Sequence, residues 1–423
     1  MHWFTLLFLA MLVLATGVEI YLAWRHLRHV AAHRGTVPAA FVQRISLDDH
    51  QKAADYTQAK TRHAIVQLVY GALLVYAWTI GGGLGLLDQT WRNIGLGPLM
   101  TGVGFLVSAF FIIGLLELPL TLFQTFHLEQ RFGFNRTPPK LFILDLLKSS
   151  LLTMLIGVPL AAAILWLMGN AGTLWWLWAW GVWFGFSLLM MWAFPAFIAP
   201  LFNKFTPLEA GELQQRIQAL LQRCGFTSNG IFVMDGSRRS AHGNAYFTGV
   251  GNKKRIVFFD TLINSLNADE IEAVLAHELG HFRRHHVRKR MITMAIVSLL
   301  GLGVLGWLSS QLWFYNGLGV TQPSTHAALL LFLIAAPIFT FFTRPLMAHT
   351  LRRHEFEADD FAAEQSDARH LIDALVKLYQ ENASTLTPDS WYSAFHDSHP
   401  PAPVRIAHLS ARISNQRATE GVA

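Results

Sequence analysis

Charge is what this sequence has least of. Asp, Glu, Lys and Arg make up 14% of its 423 residues, against 52% hydrophobic residues and a mean hydropathy of +0.35. That balance excludes an ordinary soluble globule. The single cysteine, Cys224, excludes an intramolecular disulfide and reads by default as a packed thiol. No internal repeat or low-complexity tract interrupts the chain. The first residues carry no Lys or Arg, and positive charge follows the long apolar stretch after them rather than preceding it. A cleaved signal peptide is therefore not expected, and the stretch reads as a retained membrane span.

Long apolar runs stand in place of charge. They occur at 3–24, 64–87, 97–126, 149–168, 174–200, 291–314 and 327–347, each near the ~20 residues that a bilayer requires, which predicts seven spans. Glu117 and Pro119 fall late in the third run. An intramembrane carboxylate faces either a water-filled cavity or a buried partner rather than lipid. The connection after the first run carries Arg25, Arg28, Arg34, Arg44, Lys52, Lys60 and Arg62, and the third carries Arg131, Arg136, Lys140 and Lys148. The second connection offers only Arg92, and the fourth and sixth, GNAGT and YNGLGVTQPSTH, carry no charge. This alternation predicts an N-terminus outside, with 201–290 and the C-terminal segment in the cytosol. The net charge of +6 sits in the cytosolic flanks, where headgroups attract it, so no nucleic-acid partner is implied. FRRHHVRKR, at 282–290, reads as an interfacial anchor.

Polar residues concentrate at 201–290 and 348–423, on either side of the last two runs. The organisation is thus 1–200 with five spans, 201–290 polar, 291–347 with two spans, and 348–423 polar. In the first polar piece LEAGELQQRIQALLQRCGF has helical spacing, while GIFVMDG and RIVFFDTLI read as short strands. NADEIEAVLAHELGHF reads as a helix with Asn267 as N-cap and Glu270 three residues later.

That helix carries HELGH. His277 and His281, four residues apart, share a face and can reach one ion, with Glu278 beside it and not ligating. Zinc suits two neutral imidazoles and lowers the pKa of a water to ~7, which places Glu278 as general base. A hydrolytic zinc site wants a third protein ligand. The HExxHxxGxxH solution is excluded, because Arg284 occupies the glycine position and Val287 the final histidine position. His285 and His286 are also poorly placed, His285 lying on the right face but a turn further along and out of reach. The remaining source is a carboxylate on another helix, and HEFEADD offers Glu355 and Glu357. Asp359 shares a face with Glu355 and can accept a hydrogen bond from a ligand imidazole, which favours Glu355 and leaves Glu357 as the alternate.

The chain also resembles the type 1 CAAX prenyl endopeptidases, integral-membrane zinc proteases of gluzincin type. TFHLEQRFGFNRT, FPAFIAPLFNKFTPLEAGEL, GSRRSAHGNAYFTG, RIVFFDTLI, AHELGHF, RRHEFEADDFA and SAFHDSHPPAPVRI are similar to that family's blocks, in the family's order and nearly from end to end. The resemblance implies a mainly α-helical membrane protein whose seven transmembrane helices form a chamber, with a cytosolic zinc domain containing a small β-sheet. It implies one zinc ion per chain on His277, His281 and Glu355, with Glu278 as base and Asp359 behind the ligands. His399 is implied as oxyanion stabiliser, and Asn244, Ala245 and Tyr246 as an edge strand for the substrate backbone. Arg405 is implied as a buried partner near the site, grouped with the substrate-binding residues. The expected activity is peptide-bond hydrolysis near the C-terminus of a peptide or protein substrate, prenylated CaaX proteins in the first instance, by a monomer among membrane lipids. A general membrane-protein quality-control protease, or a zinc-binding channel or scaffold without catalysis, are the alternatives. The C-terminal QRATEGVA lacks a lysine-rich retrieval tail, which leans toward a bacterial cytoplasmic membrane.

Overall fold

The computed structural model describes residues 2–248 and 253–420, apart from the side chains of 253, 254 and 416–420. The chain opens with α1 (Trp3–His33), α2 (Leu47–Trp78), α3 (Gly83–Asn93) and α4 (Pro98–Phe123), the last running into a π-helical turn at Gln124–Glu129. Next come α5 (Pro139–Asn170), α6 (Trp175–Ala193), a π turn at Phe194–Ile198 and the short α7 (Ala199–Phe202). Prolines at 119 and 195 lie just before or within the two π segments, where a missing amide disturbs the i→i−4 ladder.

Six helices are long and apolar enough to cross a membrane, or seven if α2 and α3 count as one span. These two helices meet at 47°, inside the run predicted at 64–87. Residues 81–83 are all glycine. At Gly81 a Cβ would lie 2.8 Å from the Ala77 backbone, and Gly82 has φ +84°, so the helix turns where only glycine fits. Glu117 on α4 is exposed, and no ion pair or side-chain hydrogen bond is recorded for its carboxylate among the described residues. The exposed surface carries many large apolar side chains, among them Phe111, Leu151, Leu155 and Trp178, as a lipid-facing bundle requires.

The polar portion begins with β1 (Phe205–Pro207), α8 (Glu212–Arg223), β2 (Thr227–Met234), β3 (Ala245–Thr248), β4 (Lys253–Phe259), α9 (Asp260–Ser265) and α10 (Ala268–Arg283). The strands form one sheet in the order β1-β2-β4-β3, with β2 and β4 parallel and the outer pairs antiparallel. β3 is therefore an edge, paired on one side only, through Ala245 opposite Phe258 to Thr248 opposite Arg255. RIVFF is strand as predicted, but the chain leaves the sheet at Asp260 and DTLI is helical.

Two further spanning elements follow, α11 (His286–Leu308) and, after the short α12 (Leu312–Gly317), α13 (Thr325–Thr340). The chain ends with α14 (Arg344–Gln365), α15 (Ala368–Glu381), α16 (Ser390–His396) and α17 (Ala402–Glu420). One core lies within the polar portion, where Ile217 and Leu220 of α8, Ile256 and Phe258 of β4, Leu275 and Leu279 of α10, and Leu371 of α15 are buried together. A second core, around Phe8, Leu84, Phe105 and Leu331, ties α1, α3, α4 and α13 together. The two polar pieces, separated in sequence by α11 to α13, thus share one core. That sharing brings α14 to α10.

Candidate metal centre

α10 is fixed at its start before it presents any chemistry. Asn267 Oδ1 accepts from the Glu270 amide and Glu270 Oε2 accepts from the Asn267 amide, each at 2.9 Å, a complete capping box. Lys377 of α15 holds the same Glu270 at 2.7 Å. Ala273, Leu275, Ala276 and Leu279 bury one face in the core, and the helix repeat then turns His277 and His281 toward α14.

Gly280 decides how close α14 comes. A Cβ there would lie 3.0 Å from Ala358 Cα, 3.1 Å from its carbonyl oxygen and 3.2 Å from Phe361 Cβ. The two backbones touch where HELGH has its glycine. At this separation Glu355 reaches both histidines, with Oε2 3.4 Å from His277 Nε2 and Oε1 3.4 Å from His281 Nε2. One ligand atom from each residue lies within 4.8 Å of the others. Glu355 is buried, and among the described residues its Oε2 has no hydrogen-bond partner, Arg405 coming no nearer to it than 3.8 Å. A buried carboxylate oxygen left without a proton donor is costly unless a cation takes that place.

Behind the three residues, Asp359 Oδ1 is 2.8 Å from His277 Nδ1. Arg405 of α17 donates to Asp359 through Nε at 2.8 Å and through a terminal nitrogen at 2.5 Å. Arg405 also comes within 3.3 Å of His277 Nδ1, but the ionised Asp359 is nearer at 2.8 Å and can only accept, so the Nδ1 proton goes to the carboxylate and Nε2 is the nitrogen left to face Glu355. Arg405 is 7% exposed. Its guanidinium is committed beneath the site and offers no open face to a substrate, unlike the other residues grouped with it. Glu355 and Asp359 against one guanidinium leave a net negative charge in a buried place. Burial and Arg405 push His277 down, yet its contacts with the carboxylates of Asp359 and Glu355 outweigh them and raise it to about 9, so without a metal this ring holds a second proton that a bound cation would displace, while burial, then the neighbouring His277, lower His281 to about 3. Two neutral imidazole nitrogens and one carboxylate oxygen fit zinc.

Glu278 makes no recorded hydrogen bond or ion pair to these residues. Burial raises its carboxyl above the ordinary range, against the pull of His277. Glu357, the alternate ligand, points elsewhere: its Oε2 is 2.9 Å from His286 Nε2, and it does not join the converging group. His399 is on the loop between α16 and α17, with Nε2 3.5 Å from Glu355 Oε1 and Nδ1 2.9 Å from Ser398 Oγ. Arg352, on α14, steadies the segment before it by donating to the carbonyl oxygens of Ser393, Ala394 and Asp397 at 3.3, 3.1 and 2.9 Å. His399 also borders a cavity of about 530 Å³, together with Lys60, His63, Gln124, Asn382 and Tyr392. A second cavity of about 340 Å³ shares Tyr56, Lys60 and Gln124 with it and extends to His242, two residues before Asn244. Asn244 caps the start of β3, its carbonyl accepting from Phe259 at 3.0 Å and its Oδ1 from Ala245 at 2.8 Å.

Several contributors escaped the sequence reading. Asn382 Oδ1 receives the Gly243 amide at 3.2 Å and lies 3.0 Å from His242 Nδ1, so the approach to β3 is fixed from α15's end. Tyr56 donates to Glu129 at 2.8 Å beside His242. These pairs span 73 to 140 residues, and no local spacing announces them.

Comparison with known proteins covers both halves. A family model described as CAAX prenyl protease N-terminal, five membrane helices, matches residues 26–204, and one for peptidase family M48 matches 207–413. The chain is 34% identical over 418 residues to the CAAX prenyl protease 1 homolog of Oryza sativa subsp. japonica, spanning 95% of this chain and 96% of that one. It is 32% identical over 419 residues to CAAX prenyl protease 1 of Saccharomyces cerevisiae, spanning 92% of each. The crystal structure of S. mikatae Ste24p superposes with a TM-score of 0.89 at 31% identity, covering 97% of this chain and 99% of that one. These relatives are eukaryotic, and a bacterial membrane gains no support from them. A metallopeptidase fold implies a metal, generally zinc, and relatives named as proteases give a channel or scaffold no support. Matched along nearly its whole length in both its membrane helices and its peptidase portion, the chain belongs to the CAAX prenyl protease family and is an integral-membrane zinc metalloprotease.

Proposed function

We propose that this chain removes the C-terminal residues of CaaX-type substrates, prenylated proteins in the first instance, with one zinc ion held by His277, His281 and Glu355. The observation that carries the reading is the convergence of these three residues around a buried Glu355 oxygen that has no hydrogen-bond partner among the described residues, with Glu278 next to His277 on the same helix. Zinc supplies Lewis acidity, acidifying water and polarising the scissile carbonyl. Glu278 takes the proton from water and delivers it to the departing amine. Its raised affinity for protons suits both directions of transfer. His399 donates to the oxygen that gains charge, and Ser398 holds its ring from the other nitrogen. Asp359 and Arg405 fix the tautomer of His277.

The substrate lies extended along the free side of β3, where Asn244, Ala245 and Tyr246 provide main-chain hydrogen bonds. Such contacts are indifferent to side-chain identity, so the lipid and the chain end supply selectivity. The membrane helices enclose a water-filled chamber below the site, the N-terminus lies outside, and the zinc site faces the cytosol. The protein works as a monomer among lipids. The deciding experiment is incubation of the purified protein with a farnesylated CaaX peptide and its unmodified twin, with Glu278→Gln as control. Release of the terminal tripeptide from the farnesylated peptide alone supports the reading, and equal cleavage of both supports quality-control proteolysis without a prenyl requirement.

A further inference from the structure

The helix that carries HELGH stops at Arg283, and α11 begins at His286. Between them His285 has φ +58° and ψ +28°, a left-handed conformation that a side chain other than glycine adopts only when its surroundings enforce it. The consequence falls on His286. In an uninterrupted helix, position 286 would lie about 140° around the axis from position 281, facing away from it. The left-handed residue swings His286 back underneath. Its Nδ1 lies 2.9 Å from His281 Nδ1, and its Nε2 lies 2.9 Å from Glu357 Oε2.

His286 is 1% exposed. Its ring stacks on His354 at 4.0 Å and 13°. Glu357 is on α14, two residues from Glu355, and also lies 3.8 Å from Lys289.

With His281 and His286 both neutral, the protons of this chain have one consistent arrangement. An ionised Glu357 only accepts, so His286 donates from Nε2 and its Nδ1 becomes a lone pair. That lone pair accepts from His281 Nδ1–H, which leaves His281 Nε2 unprotonated. The Nε2 atom is the one that faces Glu355. His277 reaches the same state by direct contact with buried Asp359.

We propose that His286 and Glu357 are positioning residues for the metal centre, a relay that fixes the tautomer and ring orientation of His281 as Asp359 does for His277. This rests on the reading of His277, His281 and Glu355 as zinc ligands. It also makes the first residue of the membrane helix α11 a support of the metal site. The bilayer-spanning segment and the ion are then joined by one imidazole–imidazole contact.

The test replaces His286 with Phe, which fills the space but accepts nothing, and with Asn, whose Oδ1 can stand where Nδ1 stood. It also uses Glu357→Leu, which accepts nothing from His286, and the double variant His286→Phe/Glu357→Leu. Zinc release to a chelator is timed in full-length protein, and the visible spectrum of the cobalt-substituted protein is recorded. The expected result is release about 10- to 100-fold faster for the Phe variant and a shifted cobalt band. The Asn variant should return to within a few-fold of the parent, and the double variant should match Phe alone, because Glu357 acts through His286. If the Phe variant folds and keeps the parent's release rate and spectrum, the relay is wrong, whatever its melting temperature does. Should the Phe variant not fold, Glu357→Leu decides on the same two readouts, faster release and a shifted band being expected and parental values overturning the relay, since this side chain is 36% exposed. Loss of zinc in His277→Ala and Glu355→Gln with none in the relay variants overturns the relay alone. Retention of zinc in His277→Ala and Glu355→Gln instead overturns the ligand assignment beneath it.

Discussion

Asp359 lies 2.8 Å from Nδ1 of His277 and is completely buried, 128 residues being spanned when Arg405 is brought to the same pair. A carboxylate in that position is held ionised by Arg405 and in turn directs the imidazole lone pair. Asp359→Asn keeps the shape, but its amide can rotate to present a donor to Nδ1 and Arg405 loses its counter-charge. Zinc affinity should fall about 10- to 100-fold, measured as zinc retained per chain after dialysis against graded chelator. An unchanged affinity would show that His277 needs no such partner.

Glu278→Gln should lower kcat by roughly 10²- to 10⁴-fold while zinc content stays at the parent's level. Because burial raises the Glu278 carboxyl, the base becomes protonated, and activity is lost, at a pH above that at which an ordinary carboxylate would titrate. The acid limb of kcat/KM in the parent reads this directly, and its disappearance in the Gln variant's residual activity is the expected outcome.

Gly280→Ala places a methyl 3.0 Å from the Ala358 backbone. Backbone cannot rotate away as a side chain can, so α10 and α14 must separate by a few tenths of an ångström. The cost is about 1–3 kcal/mol of stability, seen as a lower Tm. Zinc release should accelerate as well, since Glu355 moves with α14.

If β3 receives substrate as an added strand, peptides with N-methyl groups on alternating backbone nitrogens near the scissile bond should bind in register-dependent fashion. Methylation at positions facing β3 should raise KM at least about tenfold, with kcat far less affected, while the same change one residue along has little effect. Uniform tolerance of methylation along the peptide would argue for recognition by side chains instead.

Much of the site was legible because it is local. His277 and His281 are one helical turn apart, Glu355 and Asp359 likewise, and the Asn267–Glu270 capping box sits three residues wide. Each pairing follows from helix periodicity, which the sequence carries without reference to the rest of the chain. The apolar runs were legible for the same reason, although the run at 64–87 is broken by three consecutive glycines whose bend depends on contact with Ala77.

Helical periodicity carried on past His281 puts His286 away from the site. The left-handed residue at His285 breaks that periodicity, and histidine does not signal such a turn as glycine would. Glu357 was weighed as a ligand for want of a known neighbour; its partner lies 71 residues away. The burial expected of Arg405 is found, but that it lies beneath Asp359 rather than beside a substrate depends on where α17 docks.

By itself the sequence determined the membrane-spanning character, the helix bearing the two histidines and the glutamate beside them, and the acidic helix that offers a carboxylate as third ligand. These are properties of spacing along a single element. Tertiary structure decided which carboxylate faces the histidines, how near it comes, and what holds each ring in place. α10 and α14 are separated by three intervening helices in the chain, and their meeting is governed by the shared core and by the absence of a side chain at Gly280. Packing at that contact, rather than any motif, sets the 3.4 Å distances on which the metal centre depends.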